Sequence, residues 1–191
     1  MKATLEDRLN EILPKITSDD FLSGRGLGNE IAFFIFEYEP EDELRVRQHI
    51  SFLLDHIPKK RPKTRVAHIN LFDFVIDHLH ERKLLDKTLE LQRTKGGDFV
   101  LRQLEKILHP DKIAPLLAET IKPSEQDLVL ISGVGNVWPL MRTHSLLSNL
   151  HPVMDKTPLV MFYPGKYDGH TLKLFGRIRT DNYYRAFRLV P

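Results

Sequence analysis

Four short, almost unbroken apolar runs constrain this chain most: IAFFIFEYE at 31–39, VAHINL at 66–71, DLVLISG at 127–133 and PLVMFYPG at 158–165. Each has the length of a strand and is rich in β-branched or aromatic residues. A run with no polar alternation has no face to give to water, so these strands are expected to be covered on both sides. The segments between them carry the helical period instead. Val46, Ile50, Leu53 and Ile57 form one stripe over 41–57, and Phe72, Val75, Ile76 and Leu79 form another. Helical pattern then continues to about residue 121, broken at Gly96–Gly97 and at Pro110. Leu5, Leu9, Ile12 and Ile16 predict a helix over 4–16, while Val137, Leu140, Met141 and Leu147 predict one from Val137 to Leu150.

Strand and helix in alternation predict a three-layer α/β fold, with a mainly parallel sheet and helices on both faces. The segments TLKLFGRIR (171–179) and YYRAFRLV (183–190) flank the polar turn TDN and are expected to add an antiparallel hairpin at the C-terminal edge. A length of 191 residues fits one domain spanning 1–191. Such a domain buries roughly 70% of its unfolded surface and needs no metal or disulfide to fold. Cysteine is absent, which removes thiol catalysis and thiolate metal sites. No apolar run approaches the roughly 18 residues of a membrane span, and MKATLEDRLNEILPKI has no signal-peptide core, so a cytoplasmic protein is expected.

The sharpest functional question lies in ISGVGNVWPLMRTH, where a strand enters two glycines and a helix pattern leaves them. Phosphate loops are built this way. The triphosphatase version needs a lysine followed by serine or threonine, yet no lysine occurs between Gly133 and Lys156. The dinucleotide version needs a third glycine and an acid at the tip of the next strand, and has neither. The expected role of Gly133 and Gly135 is a tight turn, with Asn136 capping the helix and Trp138 packed over it. No cofactor is implied.

Other clusters carry little chemistry. Arg142 and His144 with Asp168 and His170 would make an acid–base group if their loops adjoin, but no nucleophile accompanies them. The plainer expectation pairs Arg142 with Asp168 as a brace between loops. His78 and His80 face different sides of a helix, His144 and His151 are two turns apart, and no metal site is expected. A net charge of +2 does not demand nucleic acid. The connector KKRPKTR nonetheless gathers Lys59, Lys60, Arg61, Lys63 and Arg65, the residues by which a nucleic acid would be held. The acidic stretch EYEPEDE (37–43) suits either a partner surface or a helix N-terminus. SGVGN and YPGKYDG both follow predicted strands and are expected to cluster. The residue types there, Trp138, Arg142, Tyr163, Lys166, Tyr167 and Asp168, are candidates for binding a protein partner.

Four long strings, FLSGRGLGNEIAFFIFEYEPEDELRVR, SGVGNVWPLMRTHSLLSNLH, PLVMFYPGKYDG and LKLFGRIRTDNYYRAFRLVP, resemble the BrxB family of BREX phage-defence systems. The likeness runs from the N-terminal helix to the last residue, and FYPGKYDG and NYYRAFRLVP are its most distinctive parts. The resemblance implies a small part of a bacterial defence locus that also encodes a DNA adenine methyltransferase, a large ATPase and PglZ, a protein of alkaline-phosphatase type. It carries over no catalytic residues. It implies a non-enzymatic interaction or assembly protein among other BREX proteins, with PglZ as the direct partner. The alternative is a nucleic-acid or nucleotide binder with a degenerate phosphate-type loop, and direct DNA contact stays open between the two.

Overall fold

A computed structural model describes residues 3–23, 32–154, 156–179 and 186–191. Helices α1 (Leu5–Ile16) and α2 (Asp19–Leu22) precede strand β1 (Phe33–Tyr38), and α3 (Glu43–Lys60) leads to β2 (Val66–Asn70). Helices α4 (Leu71–Glu81), α5 (Leu85–Lys95), α6 (Gly97–Ile107) and α7 (Pro110–Ile121) lead to β3 (Leu128–Ser132). Helix α8 (Thr143–Leu150) leads to β4 (Leu159–Tyr167), and β5 (Leu172–Leu174), β6 (Ile178–Arg179) and β7 (Phe187–Arg188) follow.

Local signals set several boundaries. Thr4 and Asp7 close a capping box at the start of α1, each side chain accepting the other's backbone N–H. Asn70 ends β2 and starts α4 in one residue, its Oδ1 accepting from Phe72 N at 3.0 Å and Asp73 N at 3.4 Å. Pro110 opens α7 at the first turn, where its missing N–H costs nothing.

The sheet order is β2-β3-β4-β1-β7, and every neighbouring pair along it is parallel. Successive residues alternate between two cores. Phe34, Phe36, Leu128, Leu130, Val160 and Phe162 pack under α1–α3. Phe33, Ile35, Val129, Ile131, Leu159 and Met161 pack under α4 and α6–α8. β1, β3 and β4 are thus apolar on both faces, as their unbroken runs required. β2 is an edge, and all five of its residues stay partly exposed. The expected three-layer architecture is present.

Three local expectations change. Residues 134–140 form consecutive turns, and α8 begins at Thr143 rather than Val137. Pro139 has no N–H to return to Gly135 and its ring crowds that carbonyl, which disfavours continuous helix from the glycine loop. Asn136 does not cap it; its Oδ1 accepts from Arg47 Nη2 at 2.8 Å. The C-terminal antiparallel hairpin exists within 172–179, where β5 pairs β6 and the end of β4. The last strand, β7, does not join that hairpin. It lies parallel to β1, with Leu189 N–H donating to Ile35 O at 2.8 Å and Leu189 and Val190 buried. The TDN turn and the loop of Gly24, Gly26 and Gly28 lie outside the described residues.

Candidate functional site

The chain leaves β1 across one face of the sheet to reach β2, then returns over the other face through β3 to β4. Connections from β1 and β4, which are neighbours, therefore diverge at their carboxyl ends. Open α/β sheets hold ligands at such a switch point. A cavity of about 620 Å³ lies there, with Glu37, Glu39, Lys166, Asp168, Lys173 and Arg188 on its wall. A second hollow of about 630 Å³ continues from it past Glu39 and Lys166 to Phe175 and Arg177.

Polar groups around the cavity are largely engaged with each other. Glu37, an acid near the end of an otherwise apolar strand, accepts from Tyr167 N–H and pairs with Arg188 at 3.2 Å. Arg188 also donates to Tyr167 O. These bonds tie β1, β4 and β7 together. The Tyr38 hydroxyl donates to Glu43 at 2.6 Å, and burial beside that carboxylate pushes the phenol well above its usual range. Asp168 accepts from Thr171 Oγ1, Thr171 N and His170 N, and those bonds hold its carboxyl well below the ordinary value. Lys166 reaches Glu39 at 3.7 Å.

The glycine loop has a different purpose from phosphate binding. Gly133 has φ +73°, and a Cβ there would collide with Asn70 Oδ1 and stand 2.9 Å from Asn70 Cγ. At Gly135 a Cβ would meet Pro164 Cγ at 2.9 Å and Phe175 Cε1 at 3.0 Å. Protein atoms from β2, β4 and the hairpin occupy the space against these glycines. They permit close approach of neighbouring chain, and the loop turns a corner.

SGVGN and YPGKYDG do meet, at Gly135 and Pro164, but the second string is not a loop throughout. β4 runs on to Tyr167, which sends Tyr163 and Tyr167 into the core at 1% exposure each. The Tyr167 hydroxyl bonds Gly169 and Ala186 carbonyls at 2.9 and 2.8 Å. Neither tyrosine is the exposed anchor that the sequence suggested. Trp138 is half-buried, and the exposed Arg142 lies over its ring at 5.7 Å. Arg142 makes no ion pair with Asp168, whose acceptors its own turn consumes. Lys166 and Asp168 are exposed.

The basic connector divides in two. Arg61 Nε donates to Thr17 O at 2.9 Å and Nη2 pairs with Asp19 at 2.7 Å, which fastens α3 to α1 and α2. Arg65 forks onto both oxygens of Asp127 at 3.2 and 3.0 Å. Lys59, Lys60 and Lys63 are exposed, and among the described residues no ion pair engages them. Lys59 and Lys60 sit in the last turn of α3, where the helix dipole favours them. Within the acidic stretch, Glu37 is a brace, Glu43 holds Tyr38 and Arg47, and Asp42 holds Arg45. Glu41 stays exposed.

A serine–histidine contact also occurs: His68 Nε2 lies 2.8 Å from Ser132 Oγ. Burial pulls the His68 imidazole below its usual value. Ser132 is only 6% exposed, while His68 on the edge strand stays partly exposed. Among the described residues no group of three histidine, aspartate or glutamate side chains is placed to hold a metal, and no helix is long and apolar enough to cross a membrane.

The family model described as BREX protein BrxB matches residues 67–189. A BREX protein BrxB of Bacillus cereus (strain H3081.97) is 41% identical over 190 residues, spanning 97% of this chain and 97% of its own. A BREX protein BrxB of Escherichia coli O9:H4 (strain HS) is 43% identical over 187 residues, spanning 98% of this chain and 92% of its own. No solved structure gives a significant match.

Proposed function

The chain belongs to the BrxB family of BREX proteins, and from that membership we propose that it serves phage defence as a non-enzymatic assembly component, with PglZ as its direct partner. One observation carries the non-enzymatic part. At the carboxyl end of the sheet, where an α/β enzyme places its reacting groups, Glu37, Glu43 and Asp168 are each locked into structural bonds. The Ser132 hydroxyl, in contact with His68, is itself buried.

What this end offers a partner is surface. Trp138 under Arg142, the Lys166–Glu39 pair and the exposed Arg177 lie on segments that Gly135, Pro164 and Phe175 bring into contact. An aromatic beside arginines, rimmed by loosely paired charges, suits a protein interface. Leu44, 69% exposed in the first turn of α3, adds an apolar contact one turn from Arg47, which holds this loop through Asn136.

The test is co-purification of the tagged chain from cells expressing the whole defence locus. PglZ should be retained by the native protein. It should be lost from the double variant Arg142→Glu, Lys166→Glu, whose melting temperature should stay within about 2 °C because both side chains are exposed. Retention by the variant would move the interface elsewhere, and absence of PglZ from the native protein would remove it as the direct partner.

A further inference from the structure

The two ends of the strand order are protected unequally. β7 is two residues long and carries the charged Arg188. β2 runs for five residues, Val66–Asn70, with no lysine, arginine, aspartate, glutamate or proline among them. Its register with β3 is unbroken from Val66↔Leu128 to Asn70↔Ser132, so no bulge turns the edge aside. Charge, proline and bulges are the devices that keep an open edge from pairing, and β2 has none of them. The ladder also fixes which backbone groups are free. Arg65 O accepts from Asp127 N at 2.9 Å and Leu128 N at 3.2 Å, so Arg65 faces β3. Backbone groups alternate sides along a strand, so Ala67 and Ile69 face β3 as well, and Val66, His68 and Asn70 face outward. Among the described residues no strand other than β3 pairs with β2. The Asn70 carbonyl is drawn into the first turn of α4, which leaves the Asn70 N–H and the backbone groups of Val66 and His68 for another strand. Charge at the two ends of β2 indicates which strand that is. Before it lie the exposed Lys59, Lys60 and Lys63, and after it, on α4, the exposed Asp73 and Asp77. Among the described residues no ion pair engages Lys63 or Asp73. Burial lowers the His68 pKa and Asp73 opposes that shift, which places the Asp73 carboxylate beside the strand.

We propose that β2 pairs antiparallel with β2 of a second copy of this chain, about a two-fold axis at His68, so that one sheet continues through a homodimer. In this register the outward-facing residues meet. The two His68 residues exchange N–H···O bonds, and each Asn70 N–H donates to the opposite Val66 carbonyl. Carried past the strand, the same register brings Lys63 of each copy toward Asp73 of the other, basic end to acidic end. A parallel second copy would instead set lysine beside lysine and aspartate beside aspartate. Phe72, 36% exposed at the start of α4, falls at the same seam and adds apolar area. The seam uses neither Arg142 nor Lys166, so it does not depend on the choice of protein partner.

Analytical ultracentrifugation of the full chain tests this. A short seam is a small contact, so association is expected in the micromolar range, roughly 1–200 μM. Across that range the native chain should pass from its 22.3 kDa monomer toward twice that mass. Lys63→Glu and Asp73→Lys should each weaken association about tenfold or more, because each sets like charges together at both ends of the seam. The double exchange Lys63→Glu, Asp73→Lys should restore it. His68→Pro removes the central N–H and should give a folded monomer by circular dichroism, since an edge strand tolerates proline where its N–H faces outward. If His68→Pro does not fold, the charge exchange decides alone. A native chain that stays monomeric throughout overturns the proposal. So does a dimer that the single charge reversals leave unweakened, or one whose loss the double exchange fails to rescue.

Discussion

Replacing Gly133 with alanine tests whether the glycine loop is built for close packing. At φ +73° an L side chain costs about 1–2 kcal/mol. The new methyl would also displace Asn70 Oδ1, the cap of α4, for roughly another 1 kcal/mol. A total of about 2–3 kcal/mol in a chain this long lowers the melting temperature by on the order of 5–12 °C. Asn70→Ala alone should cost about 1 kcal/mol. In the double variant the cap is already gone, so Gly133→Ala should then cost only the backbone strain. The cycle should fall short of additivity by about 1 kcal/mol. Urea unfolding followed by circular dichroism measures all four corners. A drop under about 2 °C for Gly133→Ala, or strict additivity with Asn70→Ala, would refute this account of the loop.

Glu37→Ala strips the acceptor from Tyr167 N–H and leaves Arg188 unpaired, and thermal unfolding should show a loss of about 2–3 kcal/mol; a loss under 1 kcal/mol contradicts the brace. Asp127→Asn carries a pH signature. The Arg65 side chain and backbone hold the Asp127 carboxyl below its usual value, so its stabilisation is complete above the unfolded-state pKa and fades as pH falls through the lower folded one. Native and variant melting curves should differ near neutrality and converge in acid, and a constant gap would deny the pair. Reversing Lys59, Lys60 and Lys63 to glutamate, with Arg61 and Arg65 spared because they brace the fold, should cost only about 1–2 kcal/mol through the helix dipole at the end of α3; strong, salt-sensitive DNA binding by the native protein that this variant abolishes would establish the nucleic-acid reading instead.

The architecture was legible because strands covered on both faces must be apolar, and β1, β3 and β4 are, save Glu37, Ser132 and Lys166 toward their carboxyl ends. The errors have physical causes. Apolar spacing at Val137, Leu140 and Met141 matched a helix, and Val137 and Met141 are buried, yet in consecutive turns around Pro139. Tyr163 and Tyr167 look like binding residues beside glycine and lysine. The extension of β4 through Pro164 and Gly165 turns them inward, and only pairing with β5 reveals it. Phe187 and Leu189 read as half of a hairpin because the alternation of a strand does not name its neighbour. The cavity itself was invisible, since Arg8, Glu37, Lys173 and Arg188 meet only through the sheet order. Glu37, an acid near the end of an apolar run, was the one local hint.

The central claim, that the carboxyl end of the sheet is an assembly surface, is tested most directly by titrating purified PglZ into the purified chain. The native protein should give a saturable complex of defined stoichiometry, and Arg142→Glu, Lys166→Glu should weaken it by more than about tenfold while its melting temperature holds. Equal affinity of the two proteins for PglZ, or no complex with either, would contradict the account.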